Sequence, residues 1–274
     1  MNAKKELARF LAEDIGRGDV TSTLLDKKRI SARIISRQNG IAAGVQYAKQ
    51  IFLMKGCTVK IIRKDGQSVK PNQTLLTITG PAKSVLSCER TALNLLSRMS
   101  GIATQTSDLV KLIKSVSPKT DLYSTRKTAP GLRHFDKEAV VIGGGRKHRG
   151  TLSDMIMIKD NHIASEGSLV RLIQKAKKRS KVFEVEVDTQ ADAVLAATLD
   201  VPIIMLDNFS PTKIRKTISI LKRLGLRKKV RLEASGGINS QNIKEFAKTG
   251  VEMISVGSIT NSTKAIDFSL EVQC

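Results

Sequence analysis

The sequence predicts an α/β protein in two parts, a small mixed sheet with helices on it and then a full or incomplete α/β barrel. A chain of 274 residues, 41% hydrophobic and 26% charged, is long enough for one large or two modest domains with proper cores. From Asp121 onward six β-rich runs recur: Asp121 to Ser124, Met155 to Ile158, Phe183 to Val187, Ile203 to Leu206, Val230 to Glu233 and Glu252 to Val256. They lie roughly 20 to 30 residues apart with an amphipathic helix pattern in each gap, which is the rhythm of βα units on a parallel sheet. The first hundred residues lack that rhythm.

In that first part Ala32 to Ser36, Thr58 to Arg63 and Thr74 to Thr79 read as strands, Val45 to Lys55 as a helix and Asp65-Gly66 as a turn. A helical tract follows from Ala82 to about Val116, with a break expected near Gly101. Further helices are expected over Asn239 to Lys248 and from Ser262 onward.

Lys and Arg number 47 against 25 Asp and Glu, a formal net charge of +22. This favours anionic partners such as nucleic acid, acidic lipid or phosphorylated small molecules. Fifteen of the net charges sit in two stretches without an acid, Arg171 to Lys181 and Lys213 to Arg231. Both carry apolar residues at helical spacing, so the charge rides the outer face of packed helices as a solvated surface. Two Tyr, seven Phe and no Trp leave few rings to stack on unpaired bases, which argues against single-strand binding.

Cys57, Cys88 and Cys274 are odd in number and widely spaced, so neither a disulfide framework nor a zinc knuckle is expected. The charged start MNAKKELARFLAEDIG lacks an apolar stretch of secretory type, and no apolar run approaches 18 residues. A cytoplasmic protein without membrane attachment is the expectation.

The chemistry lies where the runs end. Lys159-Asp160-Asn161 follows MIMI, Glu186 sits within FEVEV, Asp207-Asn208 follows IIML, Ser235-Gly236-Gly237 follows VRLEA, and Gly257-Ser258 follows MISV. Barrel active sites are built at the carboxyl ends of strands, so five polar or Gly-rich endings in succession describe one mouth. The last two are Gly and Ser loops that lead into helices, a cradle for a monophosphate. Glu186 and Asp207 can hold a divalent ion, accept hydrogen bonds from sugar hydroxyls or stabilise a cationic transition state. Ahead of them, STRKTAPGLRHFDKEAVVIGGGRKHRG gathers Arg126, Lys127, Arg133, Lys137, Arg146, Lys147 and Arg149 around His134 and His148, a group suited to carboxylate or phosphate. P-loop, dinucleotide and zinc spacings are absent.

Taken together, DIGRGDVTS (14–22), CERTALNLLSRMSGIAT (88–104), TRKTAPGLR (125–133), GGGRKHR (143–149), IKDNH (158–162), VEVDT (185–189), MLDNF (205–209) and ASGGIN (234–239) resemble the quinolinate phosphoribosyltransferase family over nearly the whole chain. The resemblance implies a type II phosphoribosyltransferase with an N-terminal α/β sandwich (1–103, joined by the tail 266–274) and an incomplete α/β barrel (104–265). It implies transfer of phosphoribosyl from 5-phosphoribosyl 1-diphosphate to quinolinate with Mg²⁺, yielding nicotinate mononucleotide, CO₂ and diphosphate in NAD biosynthesis.

The resemblance also implies quinolinate binding by Arg126, Lys127, His148, Arg149 and Lys159, with Arg90 reaching in from a partner subunit of a homo-oligomer. Glu186 and Asp207 would hold the ribose hydroxyls and Mg²⁺, and Ser235, Gly236, Gly237 and Gly257 the 5-phosphate. Lys127, Lys159, Glu186 and Asp207 are the expected catalytic residues. Arg146-Lys147 stands where the family commonly has Asn before the His-Arg pair, which leaves nicotinate or another ring acid as an alternative substrate. A catalytically idle, nucleic-acid-binding barrel is the other alternative.

Overall fold

The computed structural model describes residues 2–273, so Cys274 lies outside the described residues. The chain divides into two compact units. The first takes in the chain up to Ser107, then Pro130–Gly144 and the tail from Ser262; the second comprises Asp108–Ala129 and Gly145–Asn261.

In the first unit α1 (Ala3–Ile15) is capped by Asn2, whose side chain accepts the Lys5 N–H, and buries Leu7 and Leu11. Strands β1 (Arg29–Ser36), β3 (Thr58–Ile61), β5 (Thr74–Pro81) and β12 (Phe268–Gln273) form an antiparallel sheet in the order β12-β1-β5-β3. A small ribbon pairs β2 (Gly40–Ile41) with β4 (Ser68–Val69). The unit's other helices are α2 (Val45–Met54), which buries Val45, Ala48, Ile51 and Phe52, and α4 (Arg133–Ile142); α3 (Ala82–Lys114) belongs to it up to Ser107.

Two expectations for this unit need correction. The long helix does not break at Gly101. Glycine stands there because the chain passes so close that a β-carbon would lie 2.2 Å from the Lys264 carbonyl oxygen. Nor does a helix run on from Ser262: apolar and polar residues alternate from Phe268, and the tail adds to the sheet as β12. It is fixed there by Glu271, whose carboxylate meets Arg33 and Arg37 at 2.9 Å each.

The second unit is a six-stranded parallel sheet in the order β6-β11-β10-β9-β8-β7. Its strands are β6 (Asp121–Tyr123), β7 (Ile156–Ile158), β8 (Phe183–Val187), β9 (Ile203–Asp207), β10 (Arg231–Ser235) and β11 (Met253–Ser255), which match the six expected runs. Because β6 and β7, consecutive in sequence, are the two edges, the barrel is incomplete. Arg146 bridges β6: its N–H donates to the Leu122 carbonyl at 2.8 Å, and its carbonyl accepts the Ser124 N–H at 2.9 Å.

Helices α5 (Asp160–Glu166), α6 (Leu169–Arg179), α7 (Gln190–Thr198), α8 (Pro211–Arg223), α9 (Ile243–Ala247) and α10 (Ser258–Asn261) follow the strands. Helix α6 buries Leu169, Ile173 and Ala176, and α8 buries Ile214, Thr217, Ile218 and Leu221. Most of their Lys and Arg are exposed, as the helical spacing predicts. Helix α9 is shorter than expected because Asn239 and Asn242 turn their side chains onto the backbone: Asn242 Oδ1 accepts the Asn239 N–H and Asn239 Oδ1 the Gln241 N–H, both at 2.9 Å.

Candidate active site

A cleft of about 380 Å³ opens at the carboxyl ends of the parallel strands. Every strand of the barrel sheet supplies it: Ser124 directly after β6, Lys159 directly after β7, Glu186 from β8, Asp207 and Ser235 as the last residues of β9 and β10, and Ser255 from β11. The loop after β6 adds Thr125, Arg126 and Lys127, and the segment beside it adds His148 and Arg149. Alternation selects the side chains. Glu186 reaches the cleft while its neighbours Val185 and Val187 are buried on the opposite face of the strand.

The charges are set for an anion. Arg126 Nε is buried without a hydrogen-bond partner, a donor that a carboxylate or phosphate would satisfy. Burial and the adjacent Arg126 guanidinium pull the Arg149 pKa down, so an anion between the two would relieve their repulsion. Lys159 is ion-paired with Glu186. Lys127 is exposed, and its loop is tied down by Thr260, whose hydroxyl donates to the Lys127 carbonyl at 2.8 Å. Gly257 leaves room for that lysine, since a β-carbon there would come within 3.0 Å of Lys127 Cδ.

On the opposite side Asp207 Oδ2 accepts from Asn208 Nδ2 at 2.6 Å, and the Asn208 N–H donates to the Ser235 carbonyl at 2.9 Å. Gly236 has a φ of +93° and sits so near Asn208 that a β-carbon would lie 2.2 Å from its Oδ1. The two carboxylates, Glu186 and Asp207, are hard oxygen donors facing one cleft, a set that suits Mg²⁺ completed by substrate oxygens and water.

Deeper in the barrel, His148 Nε2 lies 3.2 Å from an oxygen of Glu184 and 3.2 Å from one of Glu233, both glutamates being fully buried. The sequence reading does not single out these two acids. The available signal is a Glu two residues before each mouth residue, Glu184 before Glu186 and Glu233 before Ser235, each flanked by apolar residues. Burial pulls the imidazole of His148 down, yet the two carboxylates outweigh it and push it up to about 9.

The cleft thus gathers Arg126, Lys127, His148, Arg149, Lys159, Glu186, Asp207 and Ser235, as the sequence suggests. Gly236 and Gly237, both at positive φ, follow Ser235, and Gly257 lies beside Lys127. The dense basic stretch does not act as one group. Arg133, His134 and Lys137 belong to α4 in the first unit, where His134 bonds Tyr47 Oη at 3.1 Å. His162 accepts the Lys159 N–H at 2.9 Å as part of the α5 cap. Arg90 is exposed on α3, in the first unit, and does not line this cleft.

An incomplete parallel barrel with four cations and two carboxylates at its mouth defines an enzyme for small, multiply anionic substrates. Residues 19–100 match the N-terminal domain and residues 102–271 the C-terminal domain described as quinolinate phosphoribosyl transferase. A probable nicotinate-nucleotide pyrophosphorylase [carboxylating] of Archaeoglobus fulgidus is 45% identical, the match covering 93% of this chain and 98% of that one. A protein of the same description from Methanothermobacter thermautotrophicus is 44% identical over 96% of each. The solved nicotinate-nucleotide pyrophosphorylase of Francisella tularensis superimposes with a TM-score of 0.92 at 41% identity, over 99% of this chain and 96% of that one. The chain belongs to the quinolinate phosphoribosyl transferase family. Among the described residues no helix is long and apolar enough to cross a membrane.

Proposed function

We propose that this chain transfers phosphoribosyl from 5-phosphoribosyl 1-diphosphate to the ring nitrogen of quinolinate, releasing diphosphate and one carboxylate as CO₂ to give nicotinate mononucleotide. The observation that carries this reading is one cleft in which Arg126, Lys127, Arg149 and Lys159 stand with Glu186 and Asp207. A pyridine dicarboxylate and a bis-phosphorylated sugar bring several negative charges together, which calls for a strongly cationic mouth.

Arg126 and Arg149 bind the ring carboxylates, Arg126 with the Nε–H that has no partner in the protein. Lys159 orients the ring acid, and Lys127 neutralises charge on the departing diphosphate. Glu186 and Asp207 accept from the ribose hydroxyls and stabilise the positive charge that develops at the anomeric carbon. Ser235, Gly236, Gly237 and Gly257 form the 5-phosphate loops. Glu186 and Asp207 would also hold Mg²⁺, which when bound would supply charge neutralisation at the diphosphate. No protein nucleophile is required: the pyridinium formed on transfer stabilises the electron pair left on the ring carbon when its bond to CO₂ breaks, and that carbon then takes up a proton from water.

Arg146 and Lys147, the residues that leave room for another ring acid as substrate, are exposed and outside the cleft lining, and Arg146 lies 3.4 Å from Asp121. This supports quinolinate. We place the enzyme in a reducing, cytoplasmic compartment, in keeping with the buried free thiols of Cys57 and Cys88, and in a homo-oligomer that shares Arg90.

The test is product analysis by mass spectrometry after incubation with Mg²⁺ and 5-phosphoribosyl 1-diphosphate, with quinolinate, with nicotinate or with neither. Nicotinate mononucleotide from quinolinate with one CO₂ per turnover is the expected result. Product from nicotinate alone would assign a different ring acid.

A further inference from the structure

Two buried acids take no part in the reaction proposed above. Glu184 and Glu233 lie on the strands that carry Glu186 and Ser235, two residues earlier, which puts them on the same inner face about 7 Å deeper. Both are fully buried, and both oxygens of Glu184 and Oε1 of Glu233 lack a hydrogen-bond partner. Two carboxylates buried this way are costly, and apolar residues of similar volume would fill the same layer at less expense. Packing therefore does not account for them.

What they meet is His148 Nε2, hydrogen-bonded to Glu233 and in ionic contact with Glu184, at 3.2 Å from each. The same ring stacks edge-on with Tyr123 of β6 at 5.9 Å, and its Nδ1 accepts the backbone N–H of Arg149 at 2.8 Å. Nε2 carries a proton in both the neutral and the charged ring and faces the two acids with it, whereas Nδ1 accepts the Arg149 N–H only when the ring is neutral. The His148 side chain is only 6% exposed. Its backbone has a φ of +54°, a left-handed conformation that a residue with a β-carbon adopts only where its surroundings impose it. Next to it, Arg149 must stay close to Arg126 although the two guanidinium groups repel each other.

We propose that Glu184 and Glu233 are positioning residues: through the Nε2 proton of His148 they clamp the 145–149 segment and fix Arg149 in the orientation that receives the ring acid. The proposal rests on the reading of this cleft as a ring-acid site. The clamp ties strands β8 and β10 to a segment otherwise held along β6 by backbone bonds and by Ser124, whose hydroxyl donates to the Lys147 carbonyl at 2.9 Å.

The experiment compares the full-length wild type with E184Q, E233Q and the double variant, near-isosteric changes that remove charge but little volume. Steady-state kinetics are measured for both substrates, and hydrogen exchange is followed in the ligand-free proteins. In E233Q the KM for quinolinate is expected to rise about tenfold or more while the KM for 5-phosphoribosyl 1-diphosphate stays within about twofold. Amide exchange over residues 145–150 is expected to rise by a similar factor. Unchanged exchange and an unchanged quinolinate KM in both single variants would overturn the clamp. So would one equivalent of divalent metal bound to the wild type and lost in E233Q, because an ion would then stand where the proton is placed. A wild type that does not turn over quinolinate would refute the functional reading instead, and the exchange data would still decide the clamp. The single variants keep the question answerable if the double variant does not fold.

Discussion

Lys159, the first residue after β7, and Glu186, on the neighbouring strand β8, are ion-paired inside the cleft. Before substrate arrives, therefore, each quenches part of the charge the other would offer. Glu186→Gln is expected to free Lys159: quinolinate binding measured by calorimetry is retained or tightened, while kcat falls about 100-fold as one group stabilising the transition state is lost. A parallel loss of binding and kcat would assign Glu186 to ground-state binding.

The loop after β10 separates two glycines that look alike in sequence. Gly236→Ala places a methyl group 2.2 Å from Asn208 Oδ1, and Asn208 in turn bonds Asp207. Gly237 has a φ of +62°, and nothing lies within 4 Å of the point a methyl group would occupy there. Gly237→Ala is expected to cost about 1 kcal/mol of stability with kcat/KM for 5-phosphoribosyl 1-diphosphate near wild type, whereas Gly236→Ala lowers that ratio about 100-fold. Equal effects would show that Asn208 does not transmit the change.

In the first unit Arg98 grips the fully buried Asp136 with two bonds of 2.8 Å, Nε to Oδ1 and Nη2 to Oδ2. Burial raises the Asp136 pKa even against this partner. Arg98→Met strands the carboxylate and is expected to cost about 3–5 kcal/mol in urea unfolding, and Arg98→Met with Asp136→Leu to recover much of it.

His148 makes stability depend on alkaline pH. Facing Glu184, Glu233, Tyr123 and Arg149, its imidazole titrates in the folded state at about 9, above its ordinary value of 6.5. A raised pKa contributes stability that is complete below 6.5 and lost as pH climbs through 9. The Tm of the wild type is expected to fall by about 5 °C or more between about pH 7 and about pH 9.5, and His148→Gln to lose most of that slope. A wild-type profile as flat as the variant's would contradict the charge assigned to the ring.

Arg90 tests whether the site is shared between subunits. Arg90→Ala and Arg126→Ala are each expected to be inactive as pure proteins, and a mixture that exchanges subunits to regain about a quarter of wild-type activity, the share of random pairing that leaves one intact site of two per mixed dimer. No recovery after demonstrated subunit exchange would argue against sharing.

Local patterns made much of this molecule legible. The six parallel strands follow from β-rich runs at βα spacing, and the mouth from the polar residue that ends each run, because parallel strands bring their carboxyl ends to one side. Lys159, Glu186, Asp207 and Ser235 could be assigned to one cleft on that ground alone. The basic outer faces of α6 and α8 likewise follow from helical periodicity.

Only the tertiary structure decided the rest, and in each case a contact distant in sequence is the reason. Residue 101 of the unbroken helix is a glycine because Lys264 crosses it, and the tail becomes a strand because β1 offers it an edge. Arg133 and His134 part from Arg126 and Arg149, although close in sequence, because α4 packs in the other unit. Glu184 and Glu233 are 49 positions apart and meet at His148 only once β8 and β10 face one interior. Periodicity tells which face a side chain takes; what stands opposite that face is set by the closure of the sheet.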